Sequence, residues 1–252
     1  MRELIHQVID WIYPPRCMAC HNPLPLQDTA RRKLWLCVYC EKLFISLETP
    51  GCSICSAPIS EGVETCASCY GKNFSFIHNR SGFAYEGLVR DLIRDIKFRQ
   101  RKYVAQGLGR LWATFLKDSI PKDTILVPLP MHEKKRRRRG FDQAQIIAHA
   151  ISEATGIKTA NVLERTQNTP PQSGLHPQQR IENVKGAFRI KEKDASLVAR
   201  QNIVLIDDIY TTGASLNECA KVLKISEAAH VYAMTLAIAI KESDTQDDDD
   251  AN

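Results

Sequence analysis

The stretch Ile203-Val204-Leu205-Ile206-Asp207-Asp208-Ile209-Tyr210-Thr211-Thr212-Gly213-Ala214-Ser215 decides how this chain is read. Four successive apolar residues fit a strand buried on both faces, the pattern of a parallel sheet. The strand ends in two adjacent carboxylates, Asp207 and Asp208, and a small, hydroxyl-rich turn follows before the helical sequence LNECAKVLKIS. Such a turn presents backbone N–H groups and the positive end of a helix to a phosphate. Two carboxylates at a strand end can accept sugar hydroxyls, or hold Mg²⁺ through water. Acid pairs often do no more than cap a turn. It is the whole string that predicts a site for a phosphorylated sugar.

The string resembles the phosphoribosyl-pyrophosphate (PRPP) motif of type I phosphoribosyltransferases. That resemblance implies that Asp207 and Asp208 act as the catalytic carboxylates holding the ribose 2′ and 3′ hydroxyls. It also implies that Thr211, Thr212, Gly213, Ala214 and Ser215 hold the 5′-phosphate, with Mg²⁺ arriving with PRPP. The surrounding pattern agrees. GFAYEGLVRDLIRDIKF begins strand-like and turns helical on Leu88, Leu92, Ile93 and Ile96; Val104, Leu108, Leu111 and Phe115 mark a second helix. DTILVPLPM and HVYAMTLAIAI read as buried strands, and ANVLERT as another. Strands alternating with helices predict an α/β class, a type I phosphoribosyltransferase-like parallel sheet flanked by helices over residues 73–240.

Two further segments bear on that site. Lys134, Lys135, Arg136, Arg137, Arg138 and Arg139 form an unbroken basic run between VPLP and a helix, read here as a loop at the sheet's rim. Its planar guanidinium groups suit a pyrophosphate, and the same run can track a nucleic-acid backbone. The proline-containing stretch NTPPQSGLHPQQRIENVKGAF reads as a mobile loop of the kind that makes a lid, with Arg180 placed to close over a phosphate. Lys97 reads as an exposed helix lysine.

Eight of nine cysteines fall into four Cys-x-x-Cys pairs: Cys17/Cys20, Cys37/Cys40, Cys52/Cys55 and Cys66/Cys69. A two-residue spacer lets two thiolates converge on one ion, and two such knuckles complete a closed tetrahedral shell. Sequential pairing is the simplest arrangement, and an interleaved one fits the spacing as well. Iron–sulfur clusters use the same ligands. Residues 14–72 are read as a double zinc ribbon built from two related units and holding two structural Zn²⁺. Cys219 is expected to be a buried apolar residue in the helix after the phosphate turn.

The remaining composition bounds the function. The chain has 252 residues, 44% of them hydrophobic and 25% charged, values ordinary for a soluble globular protein. No apolar run reaches the roughly 20 residues of a membrane span. Residues 1–13 carry Leu4, Ile5, Val8, Ile9 and Ile12 at helical spacing and lack a signal-peptide pattern, so a cytoplasmic chain is expected, with association at the inner membrane face as the weaker alternative. The tail at 241–252 is acidic and reads as disordered. Its residues 242–252 carry six acids and no base, and without them 34 bases stand against 23 acids, a body of +11 suited to anionic partners.

Taken in order, PPRC at Pro14–Cys17, the four knuckles, the IKF element, PLPMHEKKRRRRGFDQA, the residues Gln172, Leu175, Arg180, Asn183 and Val184, GAF at Gly186–Phe188, and the PRPP string resemble the competence protein F family (ComF, ComFC- and GntX-like proteins). The resemblance implies PRPP binding, zinc binding and a part in handling single-stranded DNA during uptake. Alternative roles are an active Mg-dependent phosphoribosyltransferase of undefined acceptor and a zinc-ribbon adaptor for a helicase or DNA-processing partner. Two departures are noted. Asp142 stands where the family usually has Asn. Thr211 stands where purine-salvage relatives carry a base-contacting Asp, which argues against a hypoxanthine-type reaction.

Overall fold

A computed structural model describes residues 14–25, 27–45, 47, 50–116, 120, 123–169 and 177–240. The expectations for residues 1–13, for the 241–252 tail and for Gln172 and Leu175 lie outside them. Among the described residues the centre is a five-stranded, wholly parallel sheet. Its strands are β1 (Asn79–Ala84), β2 (Thr124–Pro128), β3 (Lys158–Thr159), β6 (Asn202–Tyr210) and β7 (His230–Ile238), in the order β1-β7-β6-β2-β3. The predicted strand ANVLERT does form, as β4 (Leu163–Arg165), but it leaves the main sheet to pair antiparallel with β5 (Phe188–Ile190).

β6 is buried on both faces because alternate residues feed different cores. Val204 and Ile206 pack with Leu126, Met234 and Leu236 beneath α4 (Lys102–Leu116) and α6 (Gln143–Thr155). Ile203 and Leu205 pack with Val127, Val231 and Ala233 beneath α8 (Ala214–Ile225) and the second cysteine cluster. Two layers of helix thus cover a period-2 strand whose sequence shows no alternation at all. The first ribbon carries two short helices, α1 (Thr29–Leu34) and α2 (Val38–Glu41). On one side of the sheet α3 (Gly87–Phe98) buries Val89, Leu92, Ile93 and Ile96. α6 buries Ala144, Ile147, Ala148 and Ile151, the face read from the sequence. Phe115, expected inside, is 61% exposed, and only its edge meets Phe83.

Helices α4 and α6 approach each other closely. A Cβ added at Gly109 would stand 2.8 Å from the Ala150 Cβ and 3.0 Å from the Ile147 carbonyl oxygen. Backbone cannot give way as a flexible side-chain tip can, so Gly109→Ala is expected to destabilise the fold by about 1–3 kcal/mol. Chemical denaturation in zinc-containing buffer measures this. An unchanged midpoint would mean the helices separate freely.

Two segments differ from expectation. The basic run is not a loop but a helix, α5 (Glu133–Arg139). His132 Nδ1 accepts from the Lys134 N–H at its start, and Gly140, at φ 80°, ends it. Like-charged neighbours disfavour a helix, and here caps at both ends and the Arg137–Glu133 pair at 2.5 Å offset that repulsion. The stretch expected to be a mobile loop contains α7 (Pro177–Val184), which packs on α8.

Candidate functional site

β6 outruns its neighbour β2. Their pairing ends at Pro128–Ile206, so Asp207 and Asp208 project beyond the end of β2, while Asp207 stays paired on the other side to Thr235 of β7. Alternation then sends the two carboxylates apart. Asp208, 6% exposed, meets Lys97 Nζ at 2.7 Å and accepts from Gln143 Nε2 at 3.2 Å. Lys97 is therefore not the exposed helix lysine expected. The last turn of α3 delivers it to the acid pair, because one buried carboxylate needs a cation. Asp207 turns toward α8. Its Oδ1 accepts from the Asp208 N–H at 2.8 Å, and burial, then the adjacent Asp208 charge, hold its pKa well above the usual carboxylate range.

Gln143 escaped the sequence reading. It is the first residue of α6, 8% exposed, and its position is fixed by Asp142 immediately before it. Asp142 accepts from the N–H groups of Ala144 and Gln145 and, through Oδ2, from Met131 at 2.9 Å. The acidic departure at 142 thus still works as a helix cap, and it pins the β2–α5 connection to α6.

The basic run divides by helical spacing. Lys135 and Arg139, four residues apart, are half-buried toward the acids; Lys134, Arg136, Arg137 and Arg138 are exposed. Arg139 donates to Gln143 Oε1, and Lys135 Nζ donates to the Thr169 carbonyl oxygen at 2.8 Å. A second cation missed from sequence, Arg165 of β4, lies half-buried near Asp207, with its guanidinium 5.2 Å from the Phe188 ring. Its Nε has no hydrogen-bond partner among the described residues. Burial, then the charges of Arg165, Arg138 and Arg139, push the Lys135 pKa down. Lys135, Arg139 and Arg165 thus gather three cations beside one unpaired donor, an arrangement whose charge suits an anion.

The phosphate turn opens α8 as expected. Gly213 takes φ 70°, a left-handed position that glycine occupies without strain, and no side chain caps the helix. Thr212 Oγ1 accepts from the Ala214 N–H at 3.4 Å. Thr211, Thr212, Ala214 and Ser215 are half-buried around it. Arg180 lies half-buried on α7, beside α8.

The cysteines form two clusters with sequential pairing, Cys17/Cys20/Cys37/Cys40 and Cys52/Cys55/Cys66/Cys69, each with its sulfurs within 4.8 Å of one another. The sulfurs of Cys20 and Cys37 are 3.8 Å apart and those of Cys55 and Cys66 3.7 Å. That is too far for a disulfide, at about 2.05 Å, and equals the edge of a tetrahedron with Zn–S bonds of about 2.3 Å. Backbone N–H groups point at the sulfurs, from Cys37 to Cys17 at 3.5 Å and from Ala57 to Cys55 at 3.4 Å. Burial opposes ionisation of the Cys17 thiol, but backbone donors at Cys20, Cys37 and Ala19 outweigh it and bring the pKa to about 7. The donor set fits zinc. The two-unit repeat also holds: Arg16–Pro23 and Gly51–Pro58 are matching antiparallel bridges, and His21 and Ser56, each four residues past the first cysteine, both take positive φ. Cys219 is buried in α8, as expected.

The fold is an α/β parallel sheet flanked by helices, with an N-terminal double zinc ribbon. Residues 8–70 match the family described as Double zinc ribbon domain. Competence protein F of Haemophilus influenzae is 26% identical over 230 residues, 89% of this chain and 97% of that protein. The DNA utilization protein YhgH of Salmonella typhi is 25% identical over 88% of this chain and 96% of its own. A hypoxanthine-guanine phosphoribosyltransferase structure from Bacillus anthracis superposes with a TM-score of 0.36 at 12% identity, covering 58% of this chain and 75% of that one. The resemblance to the competence protein F family therefore runs through nearly the whole chain, ribbon and sheet together. No helix among the described residues is long and apolar enough to cross a membrane.

A pH test follows from Asp207. Its folded pKa is raised, so the stability tied to it is full below the unfolded value of about 3.9 and falls as pH rises through the raised one. Asp207→Asn removes that fall. The variant's stability relative to wild type is expected to grow as pH rises from the unfolded value through the raised one, read by denaturant unfolding in zinc buffer. A difference that stays flat or shrinks with pH contradicts the assignment.

Proposed function

We propose that the chain binds PRPP at the end of β6 and acts in DNA uptake on the cytoplasmic side, with single-stranded DNA as a second ligand. The observation that carries the first part is the projecting Asp207–Asp208 pair beside an uncapped helix start and a cation cluster. On this reading the acids accept the ribose 2′ and 3′ hydroxyls, and the N–H groups of residues 211–215 take the 5′-phosphate. Lys135, Arg139 and Arg165 take the pyrophosphate, whose charge offsets their mutual repulsion. Arg180 stands beside the phosphate end. Mg²⁺ belongs to the ligand and supplies charge neutralisation at the pyrophosphate; the orphaned Arg165 Nε and the two acids are a donor and acceptors suited to that pair. Lys97, 2.7 Å from Asp208, orients that carboxylate before the sugar arrives.

Calorimetric titration of Mg-PRPP tests this. Each acid contributes a charge-assisted hydrogen bond of about 1.5 kcal/mol, so Asp207→Ala/Asp208→Ala is expected to weaken binding roughly a hundredfold. Wild-type affinity in the double variant would remove the ribose assignment.

The nucleic-acid part is supported by a surface the sequence concealed. Phe98 is 76% exposed in a cleft lined by His21, Arg94, Arg99 and Arg101 together with Asp91 and Asp95, and Lys102, Arg136 and Arg137 line a second cleft. Cations following a backbone with an aromatic face for stacking are what a single strand requires. Neutralising Arg136 and Arg137 to Gln, with Phe98→Ala, is expected to weaken oligothymidine binding in fluorescence anisotropy. Two lost phosphate contacts lower the salt slope by about 1.4. An unchanged slope would place the DNA surface elsewhere.

A further inference from the structure

Within the phosphate-turn segment, Tyr210 points its side chain away from the sugar site. The β6–β7 pairing skips Asp208, and beyond it the alternation shifts: Ile209 packs in the core under α4 and α6, and Tyr210 in the core on the other side. Tyr210 is 4% exposed and shares that core with Cys52, Cys55, Cys66 and Cys69. Its hydroxyl has no partner of full hydrogen-bond geometry among the described residues, while the thiols of Cys69, Cys55 and Cys66 act on it, Cys69 at side-chain hydrogen-bonding range. A buried phenol left without an acceptor costs about 1–3 kcal/mol. Thiolates gathered on a zinc ion are strong acceptors, and outer donors to metal ligands orient them.

The same side chain supports the phosphate turn. A Cβ built on Gly213 would lie 2.7 Å from the Tyr210 hydroxyl oxygen and 3.0 Å from the ring carbon that bears it. The phenol is thus wedged between the turn's glycine and the sulfur cluster. A second brace joins the same elements: the Ser75 N–H donates to Asn217 Oδ1 in the first turn of α8 at 2.6 Å. The first cysteine cluster has a different neighbour, with Met18 seated over Gly107 of α4.

We propose that the Tyr210 hydroxyl donates a hydrogen bond to a thiolate of the second zinc cluster, and that this bond couples metal occupancy there to the set of the phosphate turn. The coupling half rests on the PRPP reading above; the hydrogen bond does not. Tyr210 is a positioning residue in both roles. Because coupling is reciprocal, a phosphosugar in the turn should hold the second zinc more tightly, and losing that zinc should loosen the phosphosugar.

Tyr210→Phe keeps the ring on Gly213 and removes only the hydroxyl. Zinc release from the full-length protein to a metallochromic chelator should show two phases, one per cluster. The variant is expected to speed one phase about tenfold and leave the other unchanged. In the cadmium-113 form, the same substitution should move one of two metal resonances. Unchanged release and unmoved resonances overturn the hydrogen bond, whatever PRPP does. Adding Mg-PRPP should slow the sensitive phase in wild type and not in Tyr210→Phe. PRPP that binds the wild type yet slows neither phase overturns the coupling and leaves the PRPP reading standing. If PRPP fails to bind at all, the PRPP reading and the coupling fall together, and the hydrogen bond is still decided by the release phases.

Discussion

The charge on Asp208 is the constraint around which this site is built. A carboxylate at the end of a strand buried on both faces must be met by donors, since an unpaired buried charge costs several kcal/mol. Lys97 from α3 and Gln143 from α6 meet it, and each arrives through its own helix. Gln143 in turn accepts from Arg139, the last residue of α5, and α6 begins where Asp142 caps it and holds Met131. One buried acid thereby fixes the ends of three helices and the connection after β2. The basic helix turns Lys135 and Arg139 toward the end of β6 because the network around Asp208 orients it.

Much of this was legible in the residues. Four apolar positions ending in two acids placed the central strand, and the small-residue turn placed the start of α8. The spacing of the cysteines placed both metal sites, and their sequential pairing followed the simplest reading. What stayed hidden depends on contacts between distant segments. Lys97 looks exposed because its own helix is amphipathic without it, and its partner lies over a hundred positions away. Gln143 and Arg165 carry no local pattern. The basic run looks like a loop because charge repulsion is visible in sequence and two end caps are not. Phe98 is another such case, an aromatic that the fold leaves outside among arginines.

The zinc ribbons are not an appendage on this fold. The Asn79 N–H donates to the Ile54 carbonyl oxygen at 2.7 Å, and the Asn79 side chain reaches Cys55, Ser81 and Thr235, tying the second ribbon to the β1 and β7 edge. The first ribbon sits on α4 through Met18 and Leu36. A module too small to bury its own core thus gains one from the sheet, while its thiolates supply what the sheet's buried Tyr210 hydroxyl lacks. This mutual dependence gives a physical reason for two such different parts to share a chain, as they do in the competence protein F family it resembles.

The central claim is that the end of β6 receives both ends of one phosphoribosyl pyrophosphate. Phosphorus-31 NMR of PRPP titrated with the protein in Mg²⁺ buffer tests it directly, because the 5′-phosphate and the pyrophosphate give separate signals. The account predicts that both shift together and saturate at one equivalent, the first sensing the turn at Gly213 and the second the cations Lys135, Arg139 and Arg165. A shift of the pyrophosphate signals alone would make this a polyanion surface, and the sugar site would be wrong.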